Sequence, residues 1–279
     1  MNDILSDLKF SFQRGGLLVK LIYINAFAFL LIRLSDILTW TGSIPHAWIL
    51  SYVAMPLNGD IIYRPWTPLT NIFAHYDLIH FLCNILSLYW IGRLFLSIFN
   101  SNVRLFYAYF LGGLGGSLVA LLFCFGANGV LLGASGAIVC MLVAAAITAP
   151  RQSVWLTFFG YVQLRYVAIA TLALFFILIA GMQNVGGNLA HLGGALTGWL
   201  LALYWQKHPQ AHTTVPSFAR KSIRRKSHMS VSFNPDWQYN GSRADHNREV
   251  DRILEKIHAK GYDSLTDKEK KTLFDATNK

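Results

Sequence analysis

Gly133-Ala134-Ser135-Gly136-Ala137-Ile138-Val139-Cys140-Met141-Leu142-Val143-Ala144-Ala145-Ala146 decides how this chain is read: a serine set between glycines opens an apolar run with no charge before Arg151. His191 stands in the same way near the start of a later apolar run. A hydroxyl and an imidazole inside hydrocarbon-length segments are costly, and such groups mark either packing contacts or chemistry.

The composition around them is that of a membrane protein. The chain has 279 residues, 54% of them hydrophobic and only 14% charged, with a mean hydropathy of +0.39, too apolar for an ordinary soluble domain. A spanning helix needs about 20 mostly apolar residues. Six stretches qualify, near 19–39, 76–98, 104–125, 134–150, 165–182 and 188–206. Turn residues separate them, among them Asn100-Ser101-Asn102, Gly126-Ala127-Asn128-Gly129 and Gly186-Gly187-Asn188. The expected fold is therefore an all-α, polytopic bundle of six transmembrane helices over residues 1–206. The first span has no small-residue cleavage site close behind it, and Met1 to Phe12 is not the charged start of a signal peptide, so this span is expected to remain as an anchor.

Lys and Arg are retained on the cytoplasmic side, so their placement sets the orientation. Lys9, Arg14 and Lys20 precede or open span one, Arg93 and Arg104 flank the gap after span two, and Arg151 and Arg165 flank the gap after span four. The alternate gaps at 126–133 and 183–187 carry neither, and the 40–75 connection has only Arg64. Both termini read as cytoplasmic. Trp40, Trp48 and Trp66 in the 40–75 connection suit the outer membrane interface. Cys83, Cys124 and Cys140 all fall within spans and read as small buried hydrophobes, with no disulfide framework or metal motif.

That topology gives the polar residues a common depth. Spans two, four and six all enter from outside, which puts His80 and Asn84, Ser135 and His191 within the first turns of three helices. His80 and Asn84 are four residues apart and share a helix face. Ser135 lies at a helix amino end, where unpaired N–H groups and the dipole favour negative charge. A serine beside a histidine is a minimal activated nucleophile, and the remaining donors suit the oxyanion that develops on an attacked carbonyl. Gly194 and Gly198 form a small-xxx-small pair on span six that permits the close helix approach bringing His191 to Ser135. Gly136 is expected to face outward from the serine turn, and Gly112, Gly113, Gly115 and Gly116 to serve packing in span three.

Taken together, these residues resemble the rhomboid family of intramembrane serine proteases. Gly133-Ala134-Ser135-Gly136 matches its GxSG, His80-Phe81-Leu82-Cys83-Asn84 its HxxxN, and Ala190-His191-Leu192-Gly193-Gly194 its AH-containing glycine motif, within a likeness over roughly 64–200. The resemblance implies a Ser135–His191 dyad with no third carboxylate, and an oxyanion hole made by His80, Asn84 and the Ser135 backbone. It implies membrane-protein substrates cut in or beside a transmembrane segment, a bacterial cytoplasmic membrane as the setting, and no metal or organic cofactor. The chain departs from the family in two places. Trp66 is followed by Thr67 where relatives often have arginine, so the bonding inside the outer loop is expected to differ. Val139 stands where some relatives stack an aromatic ring on the histidine, so His191 needs another packing partner. His75 matches a histidine often found at the start of span two, with loop bracing as its expected role.

Beyond Trp205 the composition changes. Residues 207–279 hold 15 Lys and Arg against 9 Asp and Glu. Residues 207–244 read as a flexible basic linker whose run at 220–226 serves topology retention and solubility, with contact to anionic lipid as the alternative. Residues 245–279 read as a small cytoplasmic helical hairpin with Val250, Ile253, Leu254 and Ile257 at helical spacing, and its partner is unknown. No aromatic platform accompanies the basic charge, which argues against nucleic-acid binding. Two other function classes compete with the protease reading. A catalytically silent rhomboid-like protein that binds membrane segments typically lacks the serine or the histidine, and both are present here. A channel or transporter would carry internal repeats or charges along a pathway, and the spans show neither.

Overall fold

The computed structural model describes residues 10–13, 15–39, 47–157, 159–208, 256 and 266. The chain divides into two compact units, Met1–Pro216 and Ser217–Lys279, and everything below concerns the first. The basic run at 220–226, the linker and the C-terminal hairpin lie outside the described residues, apart from residues 207, 208, 256 and 266.

Six helices follow the six apolar stretches: α1 Leu17–Thr39, α2 Leu78–Phe99, α3 Asn102–Cys124, α4 Ser135–Thr148, α5 Leu164–Ala180 and α6 Val185–Lys207. Local chemistry sets their ends. The Asp77 carboxylate accepts the His80 N–H at 2.8 Å to start α2, and Asn100 closes that helix in the left-handed conformation. Ser101 then caps α3 by accepting the Arg104 N–H at 3.2 Å. The bundle is all-α and polytopic, and the protein is an integral membrane protein. By length and apolarity, three of its described helices, α1, α2 and α3, meet the requirement for crossing a bilayer.

The other three differ for physical reasons. Helix α4 has 14 residues, a length of about 21 Å, and residues 136–146 are buried without interruption. A helix enclosed by protein on every side is not obliged to match the hydrocarbon thickness. Helix α5 has 17 residues. Helix α6 has 23 residues but is diluted by the glycines, Asn188 and His191 that face its neighbours.

Helix α4 sits at the centre, packed chiefly on α3 and α6, which also pack on each other, with α2 on a further side. Helix α1 joins the outside of this group, where the buried Asn25 donates to the Tyr109 hydroxyl on α3 at 2.8 Å. Helices α4 and α6 approach closely. A Cβ on Gly194 would overlap the Gly136 carbonyl, and one on Gly198 would overlap the Cys140 carbonyl. Gly136 therefore faces inward, against α6 and the Ala190 carbonyl, and not outward as its place beside the serine suggested. The glycines of α3 do serve packing, as expected: Gly112 meets Cys140 and Gly116 meets the Ala190 carbonyl. Cys83 departs from expectation, being exposed, whereas Cys140 is fully buried.

Two short antiparallel ladders interrupt the helices. Met55–Pro56 pairs with Val130–Leu131, which ties the outer connection to the segment leading into Ser135. Between α4 and α5, β-strands Ser153–Leu156 and Gly160–Gln163 form a hairpin in a stretch that reads from sequence only as a gap. The outer connection is braced by its own side chains. Arg64 donates to the Ser51 carbonyl at 2.6 Å, the Trp66 indole to Tyr52 at 2.9 Å, and the Thr67 hydroxyl to Arg64 at 2.7 Å. Thr67 thus turns back on its own loop. Trp48, Tyr52, Tyr63 and Trp66 stay exposed, the surface of a segment resting at an interface.

Candidate active site

Ser135 is the first residue of α4, so its hydroxyl sits at the rim of that helix's unpaired N–H groups. His191 occupies the second turn of α6. The close glycine contacts between these helices carry the two side chains together, and Ser135 Oγ lies 2.7 Å from His191 Nε2. That is an ordinary hydrogen-bond length, and in the tautomer that a general base requires, the hydroxyl donates to an unprotonated Nε2.

With Nε2 accepting, the ring proton resides on Nδ1, and Nδ1 is buried with no hydrogen-bond partner. Among the described residues no carboxylate orients this histidine. The Phe175 ring of α5 does so by packing, with ring centroids 4.2 Å apart and planes tilted by 39°. Phe175 takes the place that Val139 leaves without an aromatic. Sequence reading missed it because span five carries Phe175 and Phe176 side by side, and nothing in their order says which one faces α6.

The loop before Ser135 is fixed by three contacts. Gly133 donates its N–H to the Asn71 carbonyl at 2.9 Å. It has φ of +118°, a conformation side chains rarely adopt, and a Cβ there would stand 2.9 Å from His80 Cε1. Only glycine leaves room for that imidazole. Ala134 donates its N–H to His75 Nε2 at 3.4 Å, and His75 Nδ1 lies 3.3 Å from the Phe73 carbonyl. Those partners suit a neutral His75 ring protonated on Nδ1. Burial, with a smaller contribution from neighbouring His80, holds the His75 pKa down to about 4. His75 braces the serine loop and does not reach the dyad.

Asn71 is a second residue that no motif pointed to. Its buried amide donates to the Thr67 carbonyl at 2.7 Å and to the Ser117 hydroxyl at 2.9 Å, and Ser117 donates on to Pro68 at 3.0 Å. The network locks the outer connection to α3 while the Asn71 carbonyl holds Gly133. A polar pair separated by 46 residues leaves no local signal.

Ser135, His191, His80, Asn84 and Gly133 all line one cavity of about 670 Å³, well within the range of ligand sites. Asn84 donates one amide N–H to the His80 carbonyl at 2.9 Å, and its Oδ1 is buried without a partner. A second amide N–H remains to be given. The cavity continues from the dyad into the space between α2, at Ser87 and Ile91, and α5, at Val167 and Thr171. Gly194 and Gly198 lie outside it and act through the α4–α6 contact.

Comparison with known proteins identifies relatives over the same part of the chain. A rhomboid-domain family model matches residues 63–208, and a family of unknown function, DUF6576, matches residues 234–277. The chain is 35% identical over 148 residues to "RHOMBOID-like protein 1" of Arabidopsis thaliana, covering 52% of this chain and 36% of that protein. It is 32% identical over 151 residues to "RHOMBOID-like protein 2" of the same plant, covering 53% and 44%. The chain thus spans less than half the length of either relative.

Proposed function

This chain belongs to the rhomboid family, since the matched domain covers just over half of it, and from that premise we propose that it is a serine endopeptidase acting within the membrane. Its substrates would be other membrane proteins, hydrolysed in or next to a transmembrane segment. The observation that carries this reading is the 2.7 Å contact between Ser135 Oγ and His191 Nε2 at the amino end of α4.

The chemistry follows from that contact. His191 Nε2 takes the hydroxyl proton as Ser135 Oγ attacks the peptide carbonyl, and the same proton passes to the leaving amine as the C–N bond breaks. Water, activated by the again neutral His191, then hydrolyses the acyl ester and restores the serine. The oxyanion formed in each step would be held by the Ser135 N–H, the free amide N–H of Asn84 and the His80 ring. The α2–α5 space suits an unwound strand of substrate. Gly133, Gly136, Gly194, Gly198 and His75 support the site without touching the scissile bond, and no cofactor takes part.

The distribution of Lys and Arg supports cytoplasmic termini and a site opening to the outside; the bacterial cytoplasmic membrane is proposed as the setting on the family resemblance alone. In this reading residues 1–206 are the protease domain, 207–244 a basic linker whose 220–226 run meets anionic lipid, and 245–279 a helical hairpin with a partner of its own.

The test is cleavage of a model transmembrane substrate by purified protein in liposomes, together with fluorophosphonate labelling. Wild type is expected to cleave and to label, and Ser135→Ala and His191→Ala to do neither. Cleavage that survives either substitution refutes the dyad. Substrate capture with neither cleavage nor labelling by wild type makes the protein a binder of membrane segments.

A further inference from the structure

Toward the carboxyl end of α4, further along the helix from Ser135, a second hollow opens, about 370 Å³ in volume, between α5 and α6. Ala146 on α4, Ala168 and Leu172 on α5, and Ala195 and Trp199 on α6 line it, and Arg165 stands at one end. Ile169, Leu196 and Trp199 at its rim are exposed, so the hollow opens toward lipid in an integral membrane protein. Apart from Arg165 every lining residue is apolar.

Arg165 marks a particular level in the membrane. It follows the Ser153–Leu156 and Gly160–Gln163 hairpin, in which Trp155 faces Tyr161 with ring centroids 5.0 Å apart. Trp155, Phe159 and Tyr161 are all largely exposed, and exposed Trp and Tyr belong at the headgroup level. The guanidinium donates to the Tyr166 hydroxyl at 3.0 Å and lies 4.7 Å from that ring's centre. Neither contact neutralises it. The sequence has no Asp or Glu between Asp77 and Asp236, and among the described residues no carboxylate pairs with this charge.

We propose that this groove binds one anionic glycerophospholipid, with an acyl chain along Ala146, Ala168, Leu172 and Ala195 and its phosphate on Arg165. A hydrocarbon slot that ends in a single cation at headgroup depth has the two-part chemistry of such a lipid. A transmembrane helix would need the slot but not the cation. The groove shares Leu172 and Ala195 with the apolar cluster of Val139, Val143 and Phe175, so the lipid lies against the wall that packs His191.

Binding is read without reference to catalysis, by native mass spectrometry of the full chain in detergent. Phosphatidylglycerol is titrated against phosphatidylcholine of the same acyl composition. Wild type is expected to hold one phosphatidylglycerol about fivefold more tightly than phosphatidylcholine, the worth of one basic residue against an anionic headgroup. Arg165→Gln, at an exposed position, removes that preference and Arg165→Lys keeps it. Ala168→Phe fills the slot and lowers retention of both lipids, while water-soluble glycerophosphoglycerol displaces neither. A preference that persists in Arg165→Gln overturns the proposal and puts the headgroup elsewhere, as at the 220–226 run. Displacement by glycerophosphoglycerol overturns the acyl-chain contact. A dimer that Ala168→Phe or, should that variant not fold, Leu196→Ala dissociates makes the groove a contact between copies of this chain.

Discussion

Substituting Gly194 by alanine tests whether the α4–α6 approach is what places the histidine on the serine. The new Cβ would stand 2.8 Å from the Gly136 carbonyl carbon and 3.1 Å from its Cα, where carbon atoms prefer about 3.5–4.0 Å. Both opposing atoms are backbone in a buried helix, so relief comes from α6 backing away by roughly 1 Å. His191 is three residues earlier on the same face of α6 and moves with it. A Ser135–His191 contact of 2.7 Å widened by that amount is no longer a hydrogen bond. Overpacking of this kind costs about 1–3 kcal/mol in stability, and a misplacement of about 1 Å costs on the order of 10²-fold in rate. The control is Gly198→Ala, whose Cβ would stand 3.0 Å from the Cys140 carbonyl carbon but acts almost two helical turns beyond His191. Kinetics of transmembrane-substrate cleavage and thermal melts in the same detergent are measured for both. The two variants should melt similarly early, with the loss of kcat much larger for Gly194→Ala. Equal kinetic losses would show general loosening of the bundle, and a fully active Gly194→Ala would refute the argument outright.

Phe175→Ala should lower kcat by about tenfold with little change in KM, because it frees a His191 ring that no carboxylate orients; Phe175→Tyr should retain most activity, and the paired kinetics distinguish this from lost substrate binding. His80→Ala and Asn84→Ala should each reduce kcat by about 10²- to 10³-fold while fluorophosphonate still labels Ser135, an outcome that requires the hydroxyl to remain activated. His75 should make stability fall with acid. Its folded pKa of about 4 lies below the ordinary 6.5, so the unfolded chain binds the proton first and stability, full above 6.5, is lost as pH drops toward 4. The span amounts to about 3 kcal/mol, and thermal melts across that window should flatten in His75→Gln. Asn71→Ala should destabilise by about 1–3 kcal/mol by taking the amide donor from both the Thr67 carbonyl and Ser117 Oγ, measured as an earlier melt that Ser117→Ala adds to only slightly.

Ser135, His191, His80 and Asn84 were legible because a bilayer imposes two rules that can be read without coordinates. Apolar length marks the spans, and Lys and Arg mark their direction. Those rules reduce depth to counting along each helix, and four polar groups then share one level. What lay beyond reach was rotation about each helix axis. Depth cannot say whether Gly136 faces solvent or α6, nor which of Phe175 and Phe176 meets His191, since neither α4 nor α5 has a polar stripe to set its facing. The Asn71–Ser117 bond and the strand pair between Met55 and Leu131 join segments far apart in sequence, so nothing local announces them. The departure at Val139 shows how the two kinds of information combine. Losing an aromatic four residues after the serine removes a partner from one side of the imidazole, and the sequence states that loss plainly. The need it leaves is for any flat apolar surface against that ring, and a neighbouring helix can meet it from a position with no sequence relation to the serine. Phe175 does so from α5, the helix that also walls the cavity opposite α2. In this chain the packing of the base therefore depends on where α5 stands, so a movement of α5 that admits a substrate strand also shifts the surface against which His191 is held.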